Sequence, residues 1–267
     1  MDSSSKESIP LANIWALGLD VGTTSDQDGA FSLPPLQDTV TIIISSLGYQ
    51  DRKIEIRNIK DTIWLSLAPI ELLEVNITPP LHNITQTVGH FKKRDIQATV
   101  WSWNKPWMMG RYYSMDSMFS KTPYLKSIKV FTDSYGKGSI FNIRLLSVDT
   151  NGFPGSPIYP KNIFVTSKKG RRLTKIDLSE FSIKIVDPHF FVVVEWLIID
   201  SNKYEYTYTE TDSNRKKDGI SYQPALGMVS MESKLTWGYR EGKWRLLEFN
   251  GKPNEFLNLA IELEFSN

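Results

Sequence analysis

Cysteine is absent from the 267 residues, which removes disulfides, thiolate catalysis and cysteine-ligated zinc together. An excess of charge is missing as well: 31 Lys and Arg face 30 Asp and Glu, a formal net charge of +1. The chain therefore carries no broad electrostatic footprint for nucleic acid or an anionic membrane, and any partner must be recognised locally. No apolar run reaches the ~18 residues that span a bilayer, so no transmembrane segment is expected, and the opening MDSSSKESIP lacks the apolar core of a secretory signal. Histidine is scarce: His82, His90 and His189 have no His-x-x-Glu or His-Glu-x-x-His pairing, which leaves zinc peptidase chemistry unsupported. The Gly-x-Ser-x-Gly nucleophile elbow and a phosphate-cradling glycine loop are also missing. Nothing in the sequence calls for a cofactor.

What is present is alternation. Apolar and polar residues take turns with the period of a half-buried strand, and the i, i+3, i+4, i+7 stripe of a helix is hard to find, so the chain reads as all-β. Short strand-like runs at Leu11–Leu17, Ala30–Leu33, Val40–Leu47, Lys53–Ile56 and Thr62–Leu67 describe a small sandwich over residues 1–78. Pro79-Pro80 and mixed polarity place a linker at 79–93, with Leu73–Ile77 able to add one strand before it. Beyond the linker, strands are expected at Tyr124–Thr132, Ile140–Val148, Asn162–Thr166, Arg172–Leu178, Phe190–Ile199, Lys203–Thr209, Met228–Met231, Leu235–Tyr239, Trp244–Glu248 and Leu257–Glu264. Asn-Gly, Lys-Gly and Glu-Gly steps separate many of them, because Gly and Asn accept φ > 0. Residues 94–267 therefore read as a larger, jelly-roll-like β-sandwich.

The block GTTSDQDGAFSLP, residues 22–34, holds the only candidate metal residues, Asp26 and Asp28. In an EF-hand register with Gly29 at position 6, they fall at positions 3 and 5, but Thr24 and Pro35 occupy positions 1 and 12, where ligands should be. The flanks are strand-like, so a tight turn is the expected structure.

The order and spacing of Pro10-Leu-Ala-Asn-Ile14, the Gly22-Thr-Thr-Ser-Asp-x-Asp-Gly-x-Phe31 block and Ser46-Leu-Gly-Tyr49 resemble the carboxypeptidase regulatory-like domain of Gram-negative bacteria, a transthyretin-like sandwich, over residues 1 to about 75. The stretches YLKSIKVFT, FNIRLLSVDTNGFPGSPI and FFVVVEWL look like the β-sandwich modules of unassigned function that follow this domain. The resemblance implies an exported protein of the periplasm or cell surface, and a first domain without catalytic residues. It also implies a strand ahead of the Pro-Leu-Ala-Asn segment, where Met1-Asp2 stands in this sequence. The small sandwich is accordingly expected to lack its first strand, with Met1 an internal methionine of a longer gene product whose upstream part encodes a signal peptide.

Two further features bear on function. Glu195 shares a strand face with Phe191, Val193 and Leu197, where a bare charge is costly. Arg144 interrupts an apolar strand in the same way, so the pair is expected to form a structural ion bridge. The alternative is a glycan-directed hydrolase with Glu195 as general acid and a second carboxylate about 5 to 9 Å away. Aromatic residues are the other resource: Trp101 and Trp103 share a strand face, Trp107, Tyr112 and Tyr113 follow, and Tyr204, Tyr206 and Tyr208 alternate onto one face of a later strand. Exposed, such rings form a glycan- or protein-binding face; buried, they are ordinary cross-strand packing. The leading expectation is a non-enzymatic binding or adhesion module of the cell envelope, for a glycan or an envelope protein. A purely structural spacer stands beside the hydrolase as an alternative.

Overall fold

A computed structural model describes residues 1–68, 83–103, 105–115, 120–136, 138–210, 215–240 and 242–267. Pro79-Pro80, His82 and the candidate strand Leu73–Ile77 lie outside the described residues. The chain is all-β, built from antiparallel sheets.

The first four strands, β1 (Asn13–Ala16), β2 (Gly22–Thr24), β3 (Thr41–Ser45) and β4 (Arg52–Glu55), form one sheet in the order β2-β1-β3-β4. Residues 30–33 are irregular instead of forming a strand, because the turn before them closes on itself and Pro34 and Pro35 offer no N–H to a ladder. Thr62–Leu67 contributes only two isolated bridges, Leu65 to Asp2 and Leu67 to Tyr49. Strand register places Ile14 opposite Ile44 and Trp15 opposite Ile43, so the two faces of β1 and β3 separate cleanly. Ile14, Ala16, Ile42 and Ile44 join Ile9, Ala12 and Leu65 in the unit's own core. Asn13, Trp15, Ile43 and Ser45 are equally buried, on the opposite face.

That second face is covered by the larger unit. Its strands are β5 (Thr85–Val88), β6 (Ile96–Ser102), β7 (Met108–Ser114), β8 (Tyr124–Ser134), β9 (Ile140–Val148), β10 (Pro154–Pro157), β11 (Ile163–Thr166), β12 (Gly170–Asp177), β13 (His189–Trp196), β14 (Lys203–Thr209), β15 (Lys216–Met231), β16 (Thr236–Arg240), β17 (Lys243–Leu246), β18 (Phe256–Leu259) and β19 (Ile261–Ser266). A seven-stranded sheet runs β10-β9-β13-β7-β16-β17, with β11 also on β9. An eight-stranded sheet runs β14-β15-β8-β19-β5, with β12 on β8 and both β6 and β18 on β15. The inner faces meet in one core: Phe141, Ile143, Phe190, Val192, Val194 and Trp196 pack with Leu125, Ile128, Leu226, Met228, Ile261, Leu263 and Phe265.

β5 lies inside the stretch read from sequence as linker. It pairs with β19 through Val88–Leu263 and Thr85–Ser266, and Asn267 Oδ1 accepts the N–H groups of Asn83 and Ile84, each at 2.9 Å. Its TQTV sequence is too polar to announce a strand because it is an edge strand, exposed at alternate residues. The run Leu257–Glu264 resolves into β18 and β19, divided at Ala260: β18 pairs with β15, and β19 with β8.

Candidate functional site

The outer face of the seven-stranded sheet carries Phe191, Val193 and Glu195 of β13, and β1 docks there. Register places Asn142 directly opposite Glu195 and Arg144 opposite Val193, so two polar side chains of β9 reach the carboxylate from its own sheet. Arg144 Nη2 donates to Glu195 Oε1 at 2.6 Å and its Nε to Oε2 at 2.8 Å. Asn142 Nδ2 donates to Oε2 at 2.8 Å, and Asn13 Nδ2, from the first unit, to Oε1 at 2.6 Å. Glu195 is 2% exposed, and with four donors its acceptor sites are occupied. A cavity beside it, between Asn13, Trp15, Ser45, Lys105 and Tyr239, measures only about 10 Å³, space for about one water and none for a sugar.

The polar chain continues through the first unit. Asn13 Oδ1 accepts from Thr24 Oγ1 at 2.7 Å, and Thr24 Oγ1 accepts from the backbone N–H of Ile198 at 2.7 Å. Thr24 N–H in turn donates to Ile198 O at 3.3 Å. Around these bonds the seam is apolar and close. The Trp15 ring meets Tyr239 edge-on with centroids 6.1 Å apart, and burial together with the Asp51 carboxylate raises the Tyr239 phenol above its ordinary pKa. A Cβ on Gly22 would stand 2.5 Å from Pro106 Cδ and 2.8 Å from Ile14 O, so the approach of the two units requires glycine there.

At one end of the seam the walls part into a half-open cleft of about 460 Å³, lined by Trp101, Trp103, Trp107, Lys105, Arg240 and Asp20 among others. Three pieces of chain build it: the end of β6 with the loop that follows, the end of β16, and the β1–β2 turn of the first unit. Ser102 Oγ donates to Lys105 O at 2.6 Å, closing the loop so that Trp103 stands at its tip, 59% exposed. Lys105 Nζ reaches Asp20 Oδ1 at 2.8 Å across the seam. Trp107 is buried; one face stacks on Trp196 with centroids 5.5 Å apart, and the Arg240 guanidinium lies 4.4 Å from its ring centroid.

The aromatic candidates therefore divide. Trp101, Trp103 and Trp107 line one cleft, in which Trp101 is half-buried and Trp103 presents an open ring. Tyr113 is a core residue stacked on Phe190, its hydroxyl donating to Ile261 O at 2.8 Å, and burial pushes its pKa up to about 12. Tyr112 lies on the outer sheet face against His189 and Phe191, with its hydroxyl 2.8 Å from His189 Nδ1. Neither belongs to the cleft. Tyr204, Tyr206 and Tyr208 form a separate row on β14. Tyr135 stacks on Tyr204 at 4.3 Å, Tyr204 lies nearly parallel to Tyr206, and the Tyr206 ring sits over Gly219. Tyr208, at the end of the row, is 45% exposed.

Asp26 and Asp28 make a turn. Asp26 Oδ1 accepts the N–H groups of Asp28 and Ala30, both at 2.9 Å, and Gly29 takes φ +76°. Among the described residues no group of three or more His, Cys, Asp or Glu is placed to hold a metal. His90 Nδ1 lies 2.7 Å from Glu262 Oε2.

The molecule is thus an all-β protein of two units clasped by a buried polar chain, with an aromatic and basic cleft at their margin. Residues 1–77 match the family model of the CarboxypepD_reg-like domain. No curated protein matches the chain. A solved structure with some similarity holds the cysteine protease and lectin-like domains of Cwp84, a surface layer associated protein of Clostridium difficile, at 14% identity and a TM-score of 0.34, covering 61% of this chain and 32% of that one. The chain thus spans about a third of that protein's solved length, and a score this low does not define a shared fold. Among the described residues no helix is long and apolar enough to cross a membrane.

Proposed function

We propose that the protein is a non-enzymatic binding module of the cell envelope that takes a glycan in the cleft at the seam. The observation that carries this reading is the cleft itself: open indole surface at Trp103 beside Trp101, in a volume of about 460 Å³, within the ~300–1,000 Å³ of small-ligand sites. Flat indoles stack on the apolar faces of sugar rings, and polar groups at the rim fix orientation. The hydrolase alternative loses its residue, because Glu195 is held by four donors with no room for substrate beside it. The envelope setting rests on the resemblance of the first unit.

A glycan array probed with the purified full chain tests the reading. Binding that falls at least ten-fold in Trp103→Ala, a change at an exposed tip that leaves the fold intact, is the expected result. An array with no signal, or signal indifferent to Trp103→Ala but lost in Tyr208→Ala, would move the function away from the cleft.

A further inference from the structure

Resting on that reading, we infer that the ligand is an acidic saccharide, its carboxylate received by Arg240 while a ring lies on Trp103. Arg240 ends β16 and is exposed. Among the described residues no carboxylate pairs with it; it lies over the ring of Trp107, with the guanidinium carbon 4.4 Å from the centroid. Trp107 in turn is fixed by stacking on the fully buried Trp196, whose Nε1 donates to Pro224 O at 2.8 Å. The guanidinium is therefore backed by a buried, stacked ring, while its N–H groups meet no acid among the described residues. That is the preorganised fork that recognises a carboxylate through two parallel hydrogen bonds.

The neighbouring charges agree in sign. Lys105 is tied to Asp20 at 2.8 Å, which cancels one charge of each kind and, among the described residues that line the cleft, leaves the guanidinium as the net positive charge. A cation with no carboxylate partner among the described residues, in a cleft lined by three indoles, favours a ligand that combines a stacking ring with an anion, the chemistry of a uronate or sialate unit. A neutral sugar would satisfy the indoles and leave the guanidinium with water.

The test uses the full chain against matched probes: oligogalacturonate with its carboxyl-reduced counterpart, and sialyllactose with lactose. Binding is followed by titration calorimetry at low and at physiological salt. The expected result is at least ten-fold tighter binding of an acidic member than of its neutral match, weakened by salt, with the ratio collapsing to about one in Arg240→Gln. Arg240→Lys, which keeps the charge and loses the fork, should retain part of the preference. Equal affinity for acidic and neutral members, lost in Trp103→Ala, would overturn the acidic ligand and leave the glycan module standing. An acidic preference that survives Arg240→Gln would overturn the assignment of that residue. No binding to any of the probes would overturn this inference, and extended to silence across a broad array it would remove the binding module with it.

Discussion

Replacing Asn13 with alanine cuts the polar chain at the one side chain that serves both ends of it. Asn13 is 3% exposed; its Nδ2 donates to Glu195 at 2.6 Å and its Oδ1 accepts from Thr24 at 2.7 Å. Truncation leaves a buried carboxylate one donor short and a buried hydroxyl without its acceptor. A hydrogen bond to a charged group contributes about 1.5–3 kcal/mol, and a stranded buried polar group costs about 1–3 kcal/mol, so the variant should lose roughly 3–5 kcal/mol. At about 2–4 °C per kcal/mol for a chain of this size, the thermal midpoint should fall by roughly 6–20 °C. Urea and thermal unfolding of the full chain measure it. Thr24→Val severs the same chain from its other end, taking the acceptor of Ile198 N–H as well. In a double-mutant cycle the combined variant should therefore cost less than the sum by about 1 kcal/mol or more. A loss under about 0.5 kcal/mol for Asn13→Ala, or additivity within about 0.3–0.5 kcal/mol, would refute the idea that these bonds act as one unit across the seam.

Three more outcomes are expected. Arg144→Met strands Glu195 in a site that is 2% exposed and should cost about 3–5 kcal/mol, a loss that adding Glu195→Gln partly restores; urea midpoints of the single and double variants check it. Gly22→Ala drives a methyl to 2.5 Å from Pro106 Cδ, so the variant should melt lower and bind cleft ligands more weakly than wild type, whereas Gly48→Ala, which meets no atom within 4 Å, should change stability through its backbone alone and leave binding untouched. The Lys175 ammonium, with Lys126 and Ser127, lowers the Glu264 pKa from 4.5 to about 2. A carboxyl depressed in the folded state contributes stability that is complete above about pH 4.5 and lost as pH falls toward 2, so wild type and Glu264→Gln should differ most at pH 6 and converge in acid, as thermal midpoints across that range will show.

Alternation alone located many strands of the larger unit, and β9 and β14 end where their sequences change character, at Val148 and Thr209. It gave no bounds for β5, β6, β7 or β10, whose residues look mixed because their neighbours, not their own periodicity, decide what is buried. β15 ran far past the expected Met228–Met231, from Lys216: its first half is polar because it pairs with the edge strand β14, and Gly219 and Pro224 interrupt the pattern. At the site, Trp101 and Trp103 do not share a strand face as their spacing of two suggests: β6 ends at Ser102, and Trp103 stands in the loop that follows. Arg240, Lys105 and Asp20 were not legible, since only the docking of one unit on another brings an edge-strand terminus, a loop and a distant turn together. Glu195 and Arg144 could be matched as opposite charges in apolar strands, but no local signal marks Asn13 and Asn142 as the carboxylate's other donors. An asparagine in a strand shows its meaning only when the element that covers it is known.

The four-residue strand β1 buries every side chain it has, two facing inward and two facing across the seam. A strand with that property ties this unit to the neighbour it has in this chain. Moved ahead of a different partner, residues 1–68 would present Trp15 and Ile43 to water and Asn13 to nothing, and the new neighbour would need its own carboxylate at the matching height to take it in. Inheritance of this N-terminal unit is therefore coupled to inheritance of the sheet face it leans on, and the two are expected to change together, residue against residue, along Asn13–Glu195, Gly22–Pro106 and Asp20–Lys105.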